Sequence, residues 1–386
     1  MKIVHLCLAS FYPDNHSYQE NMLPKFHKQM GHEVEVIASL VTFDENGKAT
    51  RLPGASTYRN EYDIPVTRLD NKPGKINRKL RRFVGLAEAI EKAAPEVLFI
   101  HGCQFWDIRI VVQYLKKHPG VQVFVDNHAD FSNSATNWLS YHILHKLIWR
   151  RCAHLIAPFA RKFYGVLPVR VDFLRDVYKL PEKQCELLVM GADDDAVAAA
   201  AAPEVRRAIR EKYGIAESDF LIITGGKIDA FKTQTLLLME AVHRIAREDV
   251  RLIVFGSVTP ELKEKVAALA DGTTVQYIGW VQAKDSYQYF AAADLLVFPG
   301  RHSVFWEQAA AQGIPMLVKE WPGTKHVDVG GNVRFLTRDS AEEIEGEIRL
   351  LLEQPQTYES MKAAARQEGM KTFSYREIAL RSIKAR

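Results

Sequence analysis

Short apolar runs recur along the chain at intervals that helical segments fill. In the first half they are Lys2–Leu8, Glu33–Ala38, Val97–His101, Val121–Asp126 and His154–Pro158. In the second half they are Phe220–Thr224, Arg251–Phe255, Val275–Ile278, Leu295–Phe298 and Pro315–Val318. Each is bounded by turn formers, as strands are. Thr235–Ala246, Pro260–Ala270 and Ser286–Ala293 read as helices between them. Strands alternating with helices predict an α/β protein with two parallel sheets, each covered by helices on both faces. Ligands of such sheets lodge beyond the carboxyl ends of the strands.

At 386 residues the chain is too long for one typical core. A strand expected at Glu186–Met190 would open the second half. The expected domains are therefore 1–182 and 183–370, followed by a tail, 371–386. The tail reads as a helix with Ile378, Ala379 and Ile383 on its apolar face. The residue balance, 47% hydrophobic and 25% charged, is that of ordinary globular chains. The four cysteines are scattered, with no Cys-x-x-Cys pair, which argues against a zinc ribbon or a disulfide scaffold. The amino terminus reads as a strand and lacks the basic leader and cleavage site of a signal peptide. The apolar window from Val97 to Leu115 contains His101, Asp107 and Arg109 and does not read as a membrane span. A cytoplasmic protein is expected.

Charge divides unevenly. Residues 1–180 hold 25 Lys+Arg against 17 Asp+Glu, a net +8, and the rest of the chain is net −4. Lys72, Lys75, Arg78, Lys79, Arg81 and Arg82 cluster just before Phe83, Val84 and Leu86. A basic, partly apolar helix there suits an anionic membrane surface, with peripheral attachment to the inner face. A solvated helical face is the alternative. No nucleic-acid reader motif accompanies the charge.

Two loops at strand exits carry most of the candidate chemistry. One offers Gly226, Lys227 and Lys232 after an apolar strand. Two ammonium groups across one turn can hold a diphosphate and stabilise the charge left on it when a sugar departs. They can equally be solvated loop lysines. The other loop follows Phe298 with Pro299 and Gly300, then Arg301, His302, Ser303 and Val304, and a helix carrying Glu307. Ser303 is the expected N-cap, the N–H groups of residues 302–304 would face phosphate, and Glu307 would hold ribose hydroxyls. In the first half, Asp126, Asn127, His128 and Asp130 close a strand. Two carboxylates flanking an imidazole fit a metal site, an acid–base pair or a sugar-binding cluster, and a capped turn explains the same residues. No second His or Cys stands nearby at ligand spacing, so no metal is expected. His101 ends another strand.

Taken in order, several segments resemble the family 4 glycosyltransferases, retaining enzymes of the GT-B fold. They are Gly31-His32-Glu33-Val34, Gly191-Ala-Asp193, Gly226-Lys227 with Lys232, Tyr277-Ile-Gly279-Trp280-Val281, Ala292-Ala293-Asp294 through Pro299, Glu307 to Pro315, and Phe373-Ser374-Tyr375. The resemblance spans nearly the whole length. It implies two Rossmann-like domains facing across a cleft, with a last helix crossing back to the first domain. The first domain would bind the acceptor and the second a nucleotide sugar, UDP- or GDP-linked, with no other cofactor. Lys227 and Lys232 would take the diphosphate, Gly279 and Trp280 the base, and His128 would stand near the reacting sugar. Transfer would be to a glycan or lipid-linked acceptor in polysaccharide or glycolipid assembly. The chain departs from the family at two places. Of two glutamates separated by seven residues, the second matches Glu307 and the first falls on Pro299. Arg301 or His302 is the candidate replacement. The family's early glycine pair is replaced by Asp14-Asn15-His16-Ser17-Tyr18-Gln19-Glu20, making Asn15 and Ser17 donor-sugar or acceptor candidates. The competing readings are an epimerase or phosphorylase on the same fold and a non-catalytic binding relative. A nicotinamide enzyme is disfavoured because no Gly-x-Gly-x-x-Gly follows the first strand.

Overall fold

Apolar strands buried on both faces organise each half of the computed structural model, which describes residues 1–44, 48–230 and 232–384. The strands are β1 Lys2–Cys7, β2 Glu33–Ser39, β3 Val41–Phe43, β4 Ala49–Arg51, β5 Ser56–Arg59, β6 Pro65–Leu69, β7 Val97–His101, β8 Gln122–Asn127, β9 Ala160–Gly165 and β10 Cys185–Leu187. They continue with β11 Phe220–Gly225, β12 Val250–Phe255, β13 Val275–Tyr277, β14 Leu295–Phe298, β15 Met316–Lys319 and β16 Val333–Leu336. The chain divides into two units, Met1–Met190 with the tail from Ile378, and Gly191–Glu377.

The first unit holds an eight-stranded sheet in the order β10-β9-β8-β7-β1-β2-β6-β5. All of its pairings are parallel except that of β5 with β6. β7 is buried at every position, the continuous apolar pattern of a strand covered on both faces. The second unit holds a six-stranded sheet in the order β13-β12-β11-β14-β15-β16. Strand order reverses between β11 and β14 in this sheet and between β1 and β7 in the first. Such switch points open a crevice at the carboxyl ends of the strands. In the second unit the crevice is flanked by the loops after Gly225 and Phe298.

Several expectations change. The boundary falls at residue 190, not 182, because β10 pairs in parallel with β9 and closes the edge of the first sheet. The tail joins the first unit only from Ile378. Ahead of that point, Ala192 N–H donates to Phe373 O, and the Ser374 hydroxyl donates to Asp194. Residues 385–386 lie outside the described part. The run His154–Pro158 is not a strand. Cys152, Ala153 and Ile156 bury one face of the helix Arg150–Ile156, and the strand is β9. The basic cluster does not form one helix. Only Lys75–Lys79 is helical. Arg81, at φ 53°, turns the chain back so that Lys72 N–H donates to Arg82 O. Arg81 itself leaves the charged surface. Its guanidinium lies over the Trp149 ring and donates to Gln104 O, and burial pulls it down to about 10.

Candidate active site

In the second unit the lysine loop leaves β11 through Gly226, at φ 129°. A Cβ on Gly256 would stand 1.9 Å from Gly226 O, so this close approach of two backbones admits only glycine there. Lys232 folds back between the two strand-exit loops. Its Nζ is 3.8 Å from where a Gly226 Cβ would be, and its Cγ is 3.6 Å from the same point at Gly300. Lys227 is exposed and lies 3.5 Å from Asp229. Burial lowers the Lys232 pKa, Asp229 opposes the shift, and the Arg301 and Lys227 charges add to it. Lys232 thus stands at the switch point within electrostatic reach of two further cations, Lys227 and Arg301, and of one acid, Asp229. Gly279, at φ 79°, lets its carbonyl accept from Gly256 N–H. Trp280 beside it is 69% exposed, an aromatic face open to a base.

The second loop differs from expectation. The helix is Phe305–Ala311, its N-cap is Val304, and no side chain caps it. Ser303 is therefore not the cap; its carbonyl accepts from Trp306 N–H. Glu307 is fully buried. Its Oε1 lies 2.8 Å from both His302 Nε2 and His326 Nε2, and its Oε2 meets no partner among the described residues. Burial favours the neutral acid, but the two imidazoles outweigh it and hold the carboxyl below its ordinary value. A carboxylate so engaged is not presented to a ribose. It fixes His302 instead, whose side chain is 14% exposed. His326 escaped the sequence reading, because it arrives from a separate turn, Lys325–Val327, with no periodic signal.

In the first unit the switch point gathers residues from three segments. His101 Nδ1 lies 2.8 Å from Asp126 Oδ2. His128 Nε2 lies 3.3 Å from the same oxygen and 3.9 Å from Glu20 Oε1. Gln19 Nε2 donates to Asp126 at 3.4 Å. Burial disfavours a charged His128, but Glu20 and Asp126 outweigh it and raise its pKa. Burial also opposes charge on Asp126, yet His101 and His128 hold its carboxyl below the usual range. Asp126 thus does flank His128, as its spacing suggested. Asp130 does not, for it pairs with Arg170 at 2.9 Å and accepts from Ser132 N–H. Asn127 is engaged by Gln104 Nε2 at 2.8 Å. Asn15 is exposed at φ 59°, its N–H donating to Glu61, and Ser17 is half-buried. The segment replacing the glycine pair brings Glu20 and Gln19 to the site, two residues not singled out beforehand.

Among the described residues two groups offer three ligand atoms each within 4.8 Å, namely Glu20, His101 and His128, and His302, Glu307 and His326. Ligands of tetrahedral zinc stand about 3.3 Å apart, given bonds of about 2.0 Å. The 2.8 Å contacts at Glu307 are hydrogen-bond lengths, and we read that group as a hydrogen-bonded carboxylate; in the first group His101 Nδ1 is held by Asp126 at 2.8 Å and His128 Nε2 lies 3.9 Å from Glu20 Oε1.

Residues 205–368 match the family model described as glycosyl transferases group 1. Over 191 residues the chain is 27% identical to the mannosylfructose-phosphate synthase of Agrobacterium fabrum, an alignment covering 46% of this chain and 40% of that relative. The structure is similar to Anabaena HepE solved in complex with UDP, with TM-score 0.66, 16% identity and coverage of 99% and 98% of the two chains. It is also similar to the UDP-GlcNAc 2-epimerase of Neisseria meningitidis, with TM-score 0.63, 12% identity and 99% of each chain covered. At such identities structural likeness carries the fold and not the reaction. The fold is GT-B, and within it residues 205–368 are similar to the group 1 glycosyl transferases.

Proposed function

We propose that the protein transfers a sugar from a nucleotide diphosphate donor to a hydroxyl acceptor. The observation that carries this reading is the gathering of Lys232, Lys227 and Arg301 at the β11/β14 switch point, inside the segment matched to glycosyl transferases. When the glycosidic bond to phosphate breaks, charge develops on the diphosphate, and fixed ammonium groups stabilise it. Trp280 offers a stacking face for the base. Glu307 holds His302 at the site, taking the place of the ribose contact first expected of it. The donor is UDP-linked by analogy with the ligand of Anabaena HepE.

In the first unit His128, beside Asp126 and Glu20, is the group assigned to the reacting sugar. By the family resemblance, transfer retains configuration through an oxocarbenium-like transition state. The acceptor is a glycan or lipid-linked sugar. Exposed Lys75, Arg78 and Lys79 with Ile76, 74% exposed, and Val84, 53% exposed, supply a contact for anionic membrane. Among the described residues no helix is long and apolar enough to cross a membrane.

The test is turnover of UDP-sugars with and without acceptor, in wild type and Lys232→Ala. Removing the ammonium is expected to cost about 3–4 kcal/mol of transition-state stabilisation, roughly a hundred- to thousandfold in rate. Wild-type rates in the variant would end the assignment. The likeness to the Neisseria epimerase supports a second reading, epimerisation of the nucleotide sugar, and conversion of the donor without any acceptor would establish it.

A further inference from the structure

A line of three buried histidines crosses the first unit. His27 Nε2 lies 3.0 Å from Ala379 O and 3.1 Å from Ser382 Oγ, in the last helix, Tyr375–Ser382. His27 Nδ1 lies 3.1 Å from His5 Nε2. His5 Nδ1 lies 3.0 Å from His101 Nε2. His101 Nδ1 then meets Asp126 Oδ2 at 2.8 Å. The rings of His27, His5 and His101 stack at centroid separations of 5.2 Å.

This line ends on an acceptor at both ends, a peptide carbonyl and a carboxylate. Four contacts need four protons, and three neutral imidazoles supply three. The carbonyl of Ala379 obliges His27 to donate from Nε2. His27 Nδ1 then accepts, so His5 donates from Nε2, and His101 in turn donates from Nε2 to His5. That leaves His101 Nδ1 without a proton opposite a carboxylate, unless a further proton stands between them. The reversed arrangement is neutral, with every ring donating towards Asp126 and Ser382 donating to His27. It would set two lone pairs against each other at the Ala379 carbonyl. The Ser382 hydroxyl already donates to that carbonyl at 2.8 Å, shorter than its distance to His27. A buried carboxylate also requires a compensating charge.

We propose that the His27–His5–His101 line holds one proton more than three neutral rings carry, placed on His101 against Asp126, and that this ion pair positions the Asp126 carboxylate beside His128. The positioning part rests on the assignment of His128 to the reacting sugar; the proton count does not. His5 and His27 are positioning residues, anchored at the far end on the last helix. Burial pushes His27 down to about 3 and His5 well below its usual value, so neither of them keeps the extra proton. The other titratable or charged groups facing the line are His32 beside His27, Cys7 and Cys103 beside Asp126, and Glu20 and Arg170 beside His128.

The experiment is long-range proton–nitrogen correlation at neutral pH on the full chain labelled with nitrogen-15 histidine, with signals assigned by His101→Gln and His5→Phe. Both ring nitrogens of His101 are expected to carry protons, and His5 and His27 to carry one each, on Nε2. Protons on Nδ1 throughout would overturn the count. Ser382→Ala should leave the pattern intact, whereas a reversal of the His27 tautomer would show that the hydroxyl had been feeding a neutral line. His5→Leu should lower kcat about tenfold with the donor KM within about twofold, since the severed line no longer holds Asp126. An unchanged kcat would reduce the line to a packing feature. The expected ring pattern in a protein that turns over no donor would keep the proton count while ending the proposed transfer reaction.

Discussion

Each unit buries a carboxylate between two imidazoles, but the surroundings of the two pairs differ. Glu307 receives His302 and His326, both at 2.8 Å on one oxygen. Those two contacts need only the Nε2 proton of each ring. Asp126 receives His101, whose far nitrogen is committed to His5 and, through it, to His27 and Ala379. The same two residue types thus make a local clamp in one unit and the end of a long line in the other. A carboxylate–histidine pair cannot be interpreted from the pair alone, because the second ring nitrogen decides which tautomer faces the carboxylate.

The largest test removes each carboxylate. Glu307→Ala and Asp126→Ala are each expected to cost about 3–5 kcal/mol in chemical denaturation, since buried imidazoles lose their partner. The amide variants should separate the two sites. A glutamine at 307 can still accept both N–H groups through one oxygen, so Glu307→Gln should cost about 1 kcal/mol. An asparagine at 126 leaves a charged ring uncompensated, so Asp126→Asn should stay near the cost of alanine. Equal costs for the two amides would remove the distinction.

Acid comes next. His27 is held down to about 3 and His145 to about 4, in both cases chiefly by burial. Their folded values lie below the unfolded value of about 6.5. The unfolded chain therefore binds protons first as pH falls, and stability drops by about 1.4 kcal/mol per pH unit for each such histidine. His128 works the other way. Its pKa is raised, so its contribution is full below about 6.5 and is lost as pH rises through the folded value. Glu307, held low, keeps its contribution until pH falls below about 4.3. Hydrogen exchange followed from pH 7 to 5 should accordingly loosen the first unit well before the second. The reverse order would show that these buried histidines do not govern acid sensitivity.

The smallest effect belongs to the surface of the first unit. Reversing Lys75, Arg78 and Lys79 to glutamate should weaken binding to anionic vesicles by about 1 kcal/mol per residue at low salt and by less at high salt. Unchanged binding at low salt would return these side chains to the solvent. Arg81 has no part in this test, because it is packed over Trp149.

The alternation of apolar runs with helices carried the α/β class, and most strands fall within a residue or two of their expected ends, as β7 and β14 do. Both strand-exit loops were visible too, because glycine, lysine and proline after an apolar run are local signals. Asp126 beside His128 was legible because only Asn127 separates them in the chain. The partners that give these residues their states were not. His101 reaches His5 across 96 residues, and His27 reaches Ala379 across 352. Nothing in local spacing encodes such distances, since they follow from strand order. The edge strand β10 was misassigned for the same reason: a short apolar run does not name the sheet it will join.

The chain on its own determined where charge and aromatic chemistry would stand, because those positions follow from strand ends and turn residues. Only the tertiary structure decided that Glu307 is a buried clamp and that His101 closes a proton-counted line. Tautomer and charge depend on what lies opposite each nitrogen and oxygen, and packing brings those partners from remote parts of the chain.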